Sequence, residues 1–135
     1  MQRLCALSLL CVALAGCGSG AKTASDTGAR QCVIGFGEAL LRHDWTAAHD
    51  LLHPESKKRL ALQSFTAAAR AYLRDMGFTA DTLGLRACEE REGEATGHVI
   101  FSGRAEGKSR RYRDALVMKK TDEGWGIVLP ASWGM

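Results

Sequence analysis

Hydrophobic positions in the first half of the domain recur every three or four residues, the period of a helix buried on one side. Over residues 29–42 this pattern places Val33, Phe36 and Leu40 on one stripe and predicts a first helix. The longest run with the same period predicts another helix over residues 64–76.

Short polar signals predict where these helices begin and end. Asp44 suits the N-cap of a second, short helix over residues 45–52, which Pro54 is predicted to end. Residues 55–61 are basic and predict an exposed connecting turn. Gly77 is placed to close the last helix in a left-handed conformation.

The second half of the chain alternates between hydrophobic and polar positions, as half-buried strands do. The four predicted strands are residues 82–91, 95–105, 110–120 and 125–130, separated by short turns that contain Gly. Short connections favour antiparallel pairing of successive strands. Helices followed by such a meander predict an α+β fold, with the N-terminal helices packed on one face of a curved antiparallel sheet.

A separate apolar run near the N-terminus has no polar face. It follows Arg3 and extends over residues 4–15, about 12 residues, whereas a helix needs roughly 20 to cross a bilayer. A positive charge, a short apolar core and small residues before Cys17 predict a secretory signal peptide over residues 1–16.

The sequence Leu14-Ala15-Gly16-Cys17 resembles the lipobox of bacterial lipoproteins. The resemblance implies that the Cys17 thiol receives a diacylglyceryl group, that cleavage precedes Cys17, and that the new amino group is acylated, for example with palmitate. Two or more acyl chains anchor a protein stably in a membrane. In the enterobacterial sorting pattern of such lipoproteins, Gly18 rather than Asp at the next position implies the outer membrane, facing the periplasm. The inner membrane and the cell surface are the alternatives within the bacterial envelope.

The remaining sequence divides into a tether and one domain. Residues 17–28 are small and polar and predict a flexible tether. Residues 29–135 are enough for one domain with a modest core. The whole chain has 18 basic and 15 acidic residues, a net charge of +3. This ordinary balance gives no electrostatic argument for nucleic acid, and no motif predicts a cofactor.

The predicted location indicates which of the five cysteines remain in the mature domain. Cys5 and Cys11 leave with the signal peptide, and Cys17 carries lipid, so Cys32 and Cys88 remain. The oxidising envelope favours a Cys32–Cys88 disulfide, which would contribute about 4 kcal/mol by closing a long loop. The alternative is two buried free thiols that behave as small apolar side chains.

The helical stretch "ALLRHDWTAAHDLLHPESKKRLALQSF" and the final strand "GWGIVLP" resemble the NTF2-like superfamily. The likeness covers residues 29–133 and rests mainly on Asp44-Trp45, Leu52-His53-Pro54 and the Trp-containing strand. It implies a cone in which helices lie in the concave face of the sheet. The superfamily contains isomerases, dehydratases, transport factors and non-catalytic envelope proteins, so the fold does not specify the function.

Two polar residues on predicted strands are candidates for proton transfer in such a cone. His98 and Asp114, with Tyr72 and Tyr112 as neighbours, could line its pocket and act as acid or base. The alternative is that His98 and Asp114 face water on a half-exposed sheet.

The most basic segment, residues 108–113, opens a predicted strand. Alternation places Arg111 and Arg113 on one face and Arg110 and Tyr112 on the other. Arg111, Arg113 and Tyr112 are candidates for binding lipid phosphates, cell-wall carboxylates or an acidic partner. The alternative is a solvated hairpin flank whose charges discourage aggregation.

The segment His49-Asp50-Leu51-Leu52-His53 is close to a zinc-binding HExxH motif. Asp50 holds its carboxylate further back than Glu would, and no third ligand follows, so no metal site is predicted.

These patterns favour a non-enzymatic, lipid-anchored envelope protein that binds a protein or a small ligand. One alternative is a small proton-transfer enzyme of the isomerase or dehydratase type that uses His98 or Asp114. Another is an assembly subunit that forms a homodimer through its sheet.

Overall fold

The computed structural model describes residues 27–134, and these form four helices followed by four strands. The predicted signal peptide, Cys17 and the tether up to residue 26 lie outside that range, as does Met135. The elements are α1 (Ala29–Leu41), α2 (Trp45–Asp50), α3 (Pro54–Arg59), α4 (Leu62–Asp75), β1 (Thr79–Arg91), β2 (Glu94–Ala105), β3 (Lys108–Thr121) and β4 (Gly124–Val128).

The sheet is an antiparallel meander in the order β1-β2-β3-β4. Two-residue turns join β1 to β2 at Glu92-Gly93 and β2 to β3 at Glu106-Gly107, and all four of these residues have positive φ. This is the turn geometry that matches the twist of paired strands. The α+β fold class predicted from the sequence is therefore confirmed.

The helix junctions differ in one respect from the prediction. Asp44 caps α2 as expected, since its carboxylate accepts a hydrogen bond from the Ala47 amide at 3.1 Å. Pro54, however, begins α3 instead of ending α2, and α2 has already ended at Asp50. Proline suits the first turn of a helix because the amide it lacks would have no helical partner there. The predicted turn over residues 55–61 is thus largely helical.

The chain between α2 and α3 is fastened to the edge of the sheet. The His53 amide donates to the Ile127 carbonyl at 2.7 Å, and the Ile127 amide donates to the Leu51 carbonyl at 2.9 Å. This short parallel bridge requires close approach of two backbones. A Cβ on Gly126 would lie 2.5 Å from the His53 Cα, so only glycine fits there.

The predicted stripe of α1 lies in the core. Val33, Phe36 and Leu40 are each 0% exposed. Val33 packs so closely on β2 that a Cβ at Gly97 would lie 2.8 Å from one of its methyl carbons. Burial of this stripe positions α1 across one face of the sheet. We call the face that packs against the helices the inner face, and the opposite one the outer face.

The segment after β4 returns to the helices. The Arg59 guanidinium donates to the carbonyl oxygens of Trp133 (2.8 Å), Leu129 (3.1 Å) and Pro130 (2.9 Å). The buried Ser56 hydroxyl accepts from the Leu129 amide at 3.0 Å. These contacts hold Trp133 between the helices and the sheet, where it is 7% exposed.

Candidate functional site

The space between the helices and the sheet is filled by aromatic side chains. The Phe65 and Trp133 rings stack at 5.9 Å between centroids, with Phe36 6.3 Å from Phe65. Tyr72 lies 4.9 Å from Trp133 and meets Phe101 edge-on at 6.1 Å. These rings occupy the volume in which an interior chamber would have to lie.

Asp114 faces this interior and is held there by two hydrogen bonds. Its carboxylate accepts from the Tyr72 hydroxyl at 2.7 Å and from the Ala115 amide at 2.8 Å. Burial, and then the bond to Asp114, raise the pKa of Tyr72 far above that of a free tyrosine. Both carboxylate oxygens thus have structural partners within the protein.

His98 lies on the opposite face of the sheet. Asp114 of β3 pairs with Val99 of β2, and Val99 is buried on the face that packs against the helices. Because side chains alternate along a strand, His98, the residue before Val99, points to the opposite, outer face. The His98 Nε2 is 3.8 Å from the carboxylate of the exposed Glu89. The structure therefore does not bring His98 and Asp114 together as an acid–base pair, because alternation along β2 separates them by the thickness of the sheet.

The basic segment divides as the alternation predicts. Arg111 and Arg113 are exposed on the outer face, while Tyr112 is half-buried on the inner face, edge-on to Tyr72 at 5.9 Å. Burial is the main cause that raises the pKa of Tyr112. On the outer face, Arg113 lines a shallow depression of about 290 Å³ with Arg86 and His98. Tyr112 therefore does not share a surface with the two arginines.

Cys32 and Cys88 are both free thiols in the structure. The Cys32 thiol donates to the Trp125 carbonyl on β4 at 3.5 Å. Cys88 lies on β1, opposite Gly97 of β2, and its charge is the second cause, after burial, that raises the pKa of Cys32. Burial raises the pKa of Cys32 to about 11 and also raises that of Cys88. The Cys32–Cys88 disulfide stays a prediction.

The histidines of the HDLLH segment have structural partners. A ring nitrogen of His49 is 2.9 Å from the Leu60 carbonyl, and the His53 ring accepts from the Glu55 amide at 3.2 Å as the cap of α3. Within residues 27–134, no three His, Cys, Asp or Glu side chains converge on a metal-sized position.

A cleft outside the aromatic interior opens where the α1–α2 turn, α4 and the start of β1 meet. Its volume is about 450 Å³. We call it the Trp45 cleft; its lining residues are Leu41, His43, Trp45, Arg70, Leu73, Arg74, Phe78, Thr79 and Ala80. Its walls are apolar and its rim carries cationic side chains.

Trp45 is held at the rim by two neighbours. The His43 ring stacks on it at 5.1 Å between centroids, with 12° between the planes. The Arg70 Cζ lies 5.8 Å from the centroid of the Trp45 ring, a distance at which a cation attracts an indole face. His43 has φ of 56°, in the left-handed region, which histidine enters more readily than most residues.

The two cleft arginines, Arg70 and Arg74, lie one turn apart on α4 and are exposed. In residues 27–134 neither forms an ion pair with a carboxylate; the pairs there are His98–Glu89 and Lys119–Glu55. The cleft thus combines an apolar wall with unneutralised positive charge.

Comparisons with known proteins give structural matches alone. No family model matches the sequence, and the search of curated proteins gives no match. A crystal structure of an NTF2-like transpeptidase from Campylobacter jejuni matches with a TM-score of 0.53 at 13% identity, over 75% of this chain and 97% of that one. A solution structure of a SEC-C motif protein from Rhodopseudomonas palustris matches at 0.52 and 16% identity, over 69% of each chain. The chain has an NTF2-like fold. At this level of identity the likeness shows the fold alone.

Sequence reasoning missed the Trp45 cleft of this NTF2-like domain. Its signal was present: Arg70 and Arg74 recur one turn apart, away from the buried stripe of α4, and Trp45 follows the helix cap Asp44. The sequence alone does not show the contact between α4 and the α1–α2 turn.

In the part of the chain that the structure describes, no helix is both long enough and apolar enough to span a membrane.

Proposed function

We propose that this NTF2-like protein is a lipid-anchored binding module of the bacterial envelope, with no catalytic role, and that it holds a small ligand in the Trp45 cleft. Anchoring through Cys17 is supported by the lipobox-like sequence at residues 14–17. The tether would then hold the domain close to the membrane, most simply the outer membrane on its periplasmic side.

One observation carries the binding role. The rings of Phe65, Trp133 and Tyr72 fill the interior, while the Trp45 cleft stays open at the surface. Its volume of about 450 Å³ is within the range of roughly 300–1,000 Å³ that is typical of small-molecule sites. A ligand can therefore enter without displacing the core.

The other two roles have less support. For proton transfer by His98 or Asp114, both carboxylate oxygens of Asp114 already accept hydrogen bonds, from the Tyr72 hydroxyl and the Ala115 amide. His98 lies on the opposite face of the sheet, where the two groups cannot act on one substrate. A homodimer through the outer sheet face would place Arg86, Arg111 and Arg113 of one copy near those of another, and like charges repel across an interface.

The anchor is tested by detergent phase partitioning of the native protein and of Cys17→Ala. The native chain is expected in the detergent phase and the variant in the aqueous phase. Equal partitioning of the two would contradict the lipid anchor and leave the binding role to be judged separately.

The cleft is tested by screening small organic molecules with NMR against residues 18–135, which include every helix, strand and core residue described. Hits are expected to shift the amide signals of Trp45, Leu73 and Phe78. Thr79→Phe, which fills the cleft, should abolish binding. Thr82→Phe, an exposed threonine of the same strand outside the cleft, should leave it intact. Hits that survive Thr79→Phe would reject the Trp45 cleft as the site.

A further inference from the structure

We propose that the Trp45 cleft selects organic anions that carry an apolar planar body, with arylcarboxylates as the simplest members of the class. This inference rests on the proposed function and names its ligand chemistry. Three features of the cleft support it: its apolar wall, the charge at its rim and the fixed position of that charge.

The wall is suited to an apolar body. Leu41, Leu73 and Phe78 line the cleft from three different elements of the fold, the end of α1, α4 and the approach to β1. All three are partly exposed to solvent. A planar hydrocarbon body that covers them would remove apolar surface from water, which is the main source of affinity for small ligands in such clefts.

The two arginines at the rim of the cleft favour a negatively charged ligand. Arg70 and Arg74 stand at positions i and i+4 of one helix, where like charges repel. Neither has a carboxylate partner within residues 27–134. A carboxylate between them would relieve this repulsion, and each guanidinium can donate two parallel hydrogen bonds to it.

The charge is also held in place. Arg70 lies over the Trp45 ring at 5.8 Å, and His43 stacks on the same indole at 5.1 Å. A side chain that is already ordered loses less conformational entropy when a ligand arrives. The structure therefore presents one positioned guanidinium, with Arg74 one turn away as its companion.

The depression on the outer face of the sheet has arginines but lacks an apolar wall like that of the Trp45 cleft. This depression is lined by Arg86, His98 and Arg113, together with Val99, Asp114 and Ala115. Val99 is buried on the other face, so the Ala115 methyl group is the apolar side chain that this lining presents outward. An inorganic or very small anion could use such arginines equally well. The combination of charge and apolar surface separates the Trp45 cleft from that site.

The test titrates residues 18–135 with three probes and follows the amide signals by NMR. The probes are 2-naphthoate, the uncharged 2-naphthamide of the same shape, and acetate, which has the charge alone. We expect 2-naphthoate to bind in the cleft about tenfold more tightly than 2-naphthamide, as for one well-formed charged contact. Acetate at the same concentration should leave the cleft signals unshifted.

Arg70→Gln and Arg74→Gln should each weaken 2-naphthoate about fivefold or more and leave 2-naphthamide unchanged. Arg113→Gln makes the same change of charge on the outer face and should alter neither affinity. Thermal melts check that the variants, all at exposed positions, keep their fold.

Three results would overturn the inference in different ways. Equal affinity for the acid and the amide, both lost in Thr79→Phe, would reject the anionic class and leave the binding function standing. Acetate binding as tightly as 2-naphthoate would reject the apolar body. No binding of either naphthyl probe up to about 10 mM, a very weak affinity, would reject both the ligand class and the cleft as a binding site.

Discussion

Arg59 and Trp133 are joined by a hydrogen bond of 2.8 Å from the guanidinium to the backbone carbonyl. The same guanidinium also reaches the carbonyls of Leu129 and Pro130. Together with the Ser56 hydroxyl, which accepts from the Leu129 amide, this side chain of α3 holds the segment that delivers Trp133 to the aromatic interior. The residues after β4 have no strand partner, and the Arg59 guanidinium supplies the hydrogen bonds that their backbone carbonyls would otherwise lack.

Arg59→Met should therefore destabilise the domain by about 1–2 kcal/mol, the net value of hydrogen bonds from a charged donor that is partly solvated. Urea unfolding of both proteins measures the difference. Lys58→Met removes a neighbouring charge of α3 for which the structure gives no such bonds, and should change stability by less than about 0.5 kcal/mol. Similar losses in the two variants would contradict the clamp.

Gly126→Ala should disrupt the bridge between β4 and the α2–α3 connection. The added Cβ would lie 2.5 Å from the His53 Cα and 2.7 Å from its nitrogen, so backbone must move. We expect a loss of about 2–3 kcal/mol in chemical unfolding, as for other overpacked sites. Gly84→Ala is the control, because its Cβ would meet nothing nearer than the Ile100 carbonyl at 4.0 Å.

The two tyrosines of the chain should resist ionisation while the domain is folded. Burial and Asp114 raise the pKa of Tyr72, and burial and Asp114 also raise that of Tyr112. In the unfolded chain both ionise near pH 10. Because the native state then holds more protons than the unfolded state, stability should be full below about pH 10 and fall as pH rises further.

Ultraviolet titration of tyrosinate measures this in native protein and in urea. Native protein should show little tyrosinate at a pH where the unfolded chain is half ionised. Tyr72→Phe should reduce the alkaline loss of stability. A native titration that overlays the one in urea would contradict the half-buried Tyr72–Asp114 hydrogen bond.

The two thiols should differ in reactivity when both are reduced. Burial raises the pKa of Cys32 to about 11, so little thiolate forms near pH 8, and Cys88 is the more exposed of the two. Iodoacetamide should modify Cys88 before Cys32, as peptide mass spectrometry can show. Alkylation of protein isolated from its native cells, with and without reductant, decides whether the predicted disulfide exists, and labelling of Cys32 and Cys88 that appears only after reduction would establish it.

Local rules predicted most of the fold. The stripe of Val33, Phe36 and Leu40 is buried as expected, and Gly77 closes α4 with φ of 81°. Pro54 was assigned to the wrong helix because proline both stops a preceding helix and suits the start of the next. A pattern read along one segment does not distinguish these two roles.

The candidate site was less predictable for a physical reason. Alternation along β3 gave the faces of Arg111 and Arg113 correctly, because it is a local property of a strand. Whether His98 meets Asp114 depends instead on the register between two strands. The Trp45 cleft depends on three elements that meet only in the tertiary structure.

The position of Trp133 sets an order of events during protein synthesis. Its ring lies 6.4 Å from Phe36 and 5.9 Å from Phe65, yet it leaves the ribosome long after both. Until residue 133 has been added, those two phenylalanines lack the ring that packs against both of them, so the helices complete their packing only after the last strand has been made. If the polypeptide crosses a membrane unfolded, the packing of Trp133 against Phe36 and Phe65 would take place only after the crossing.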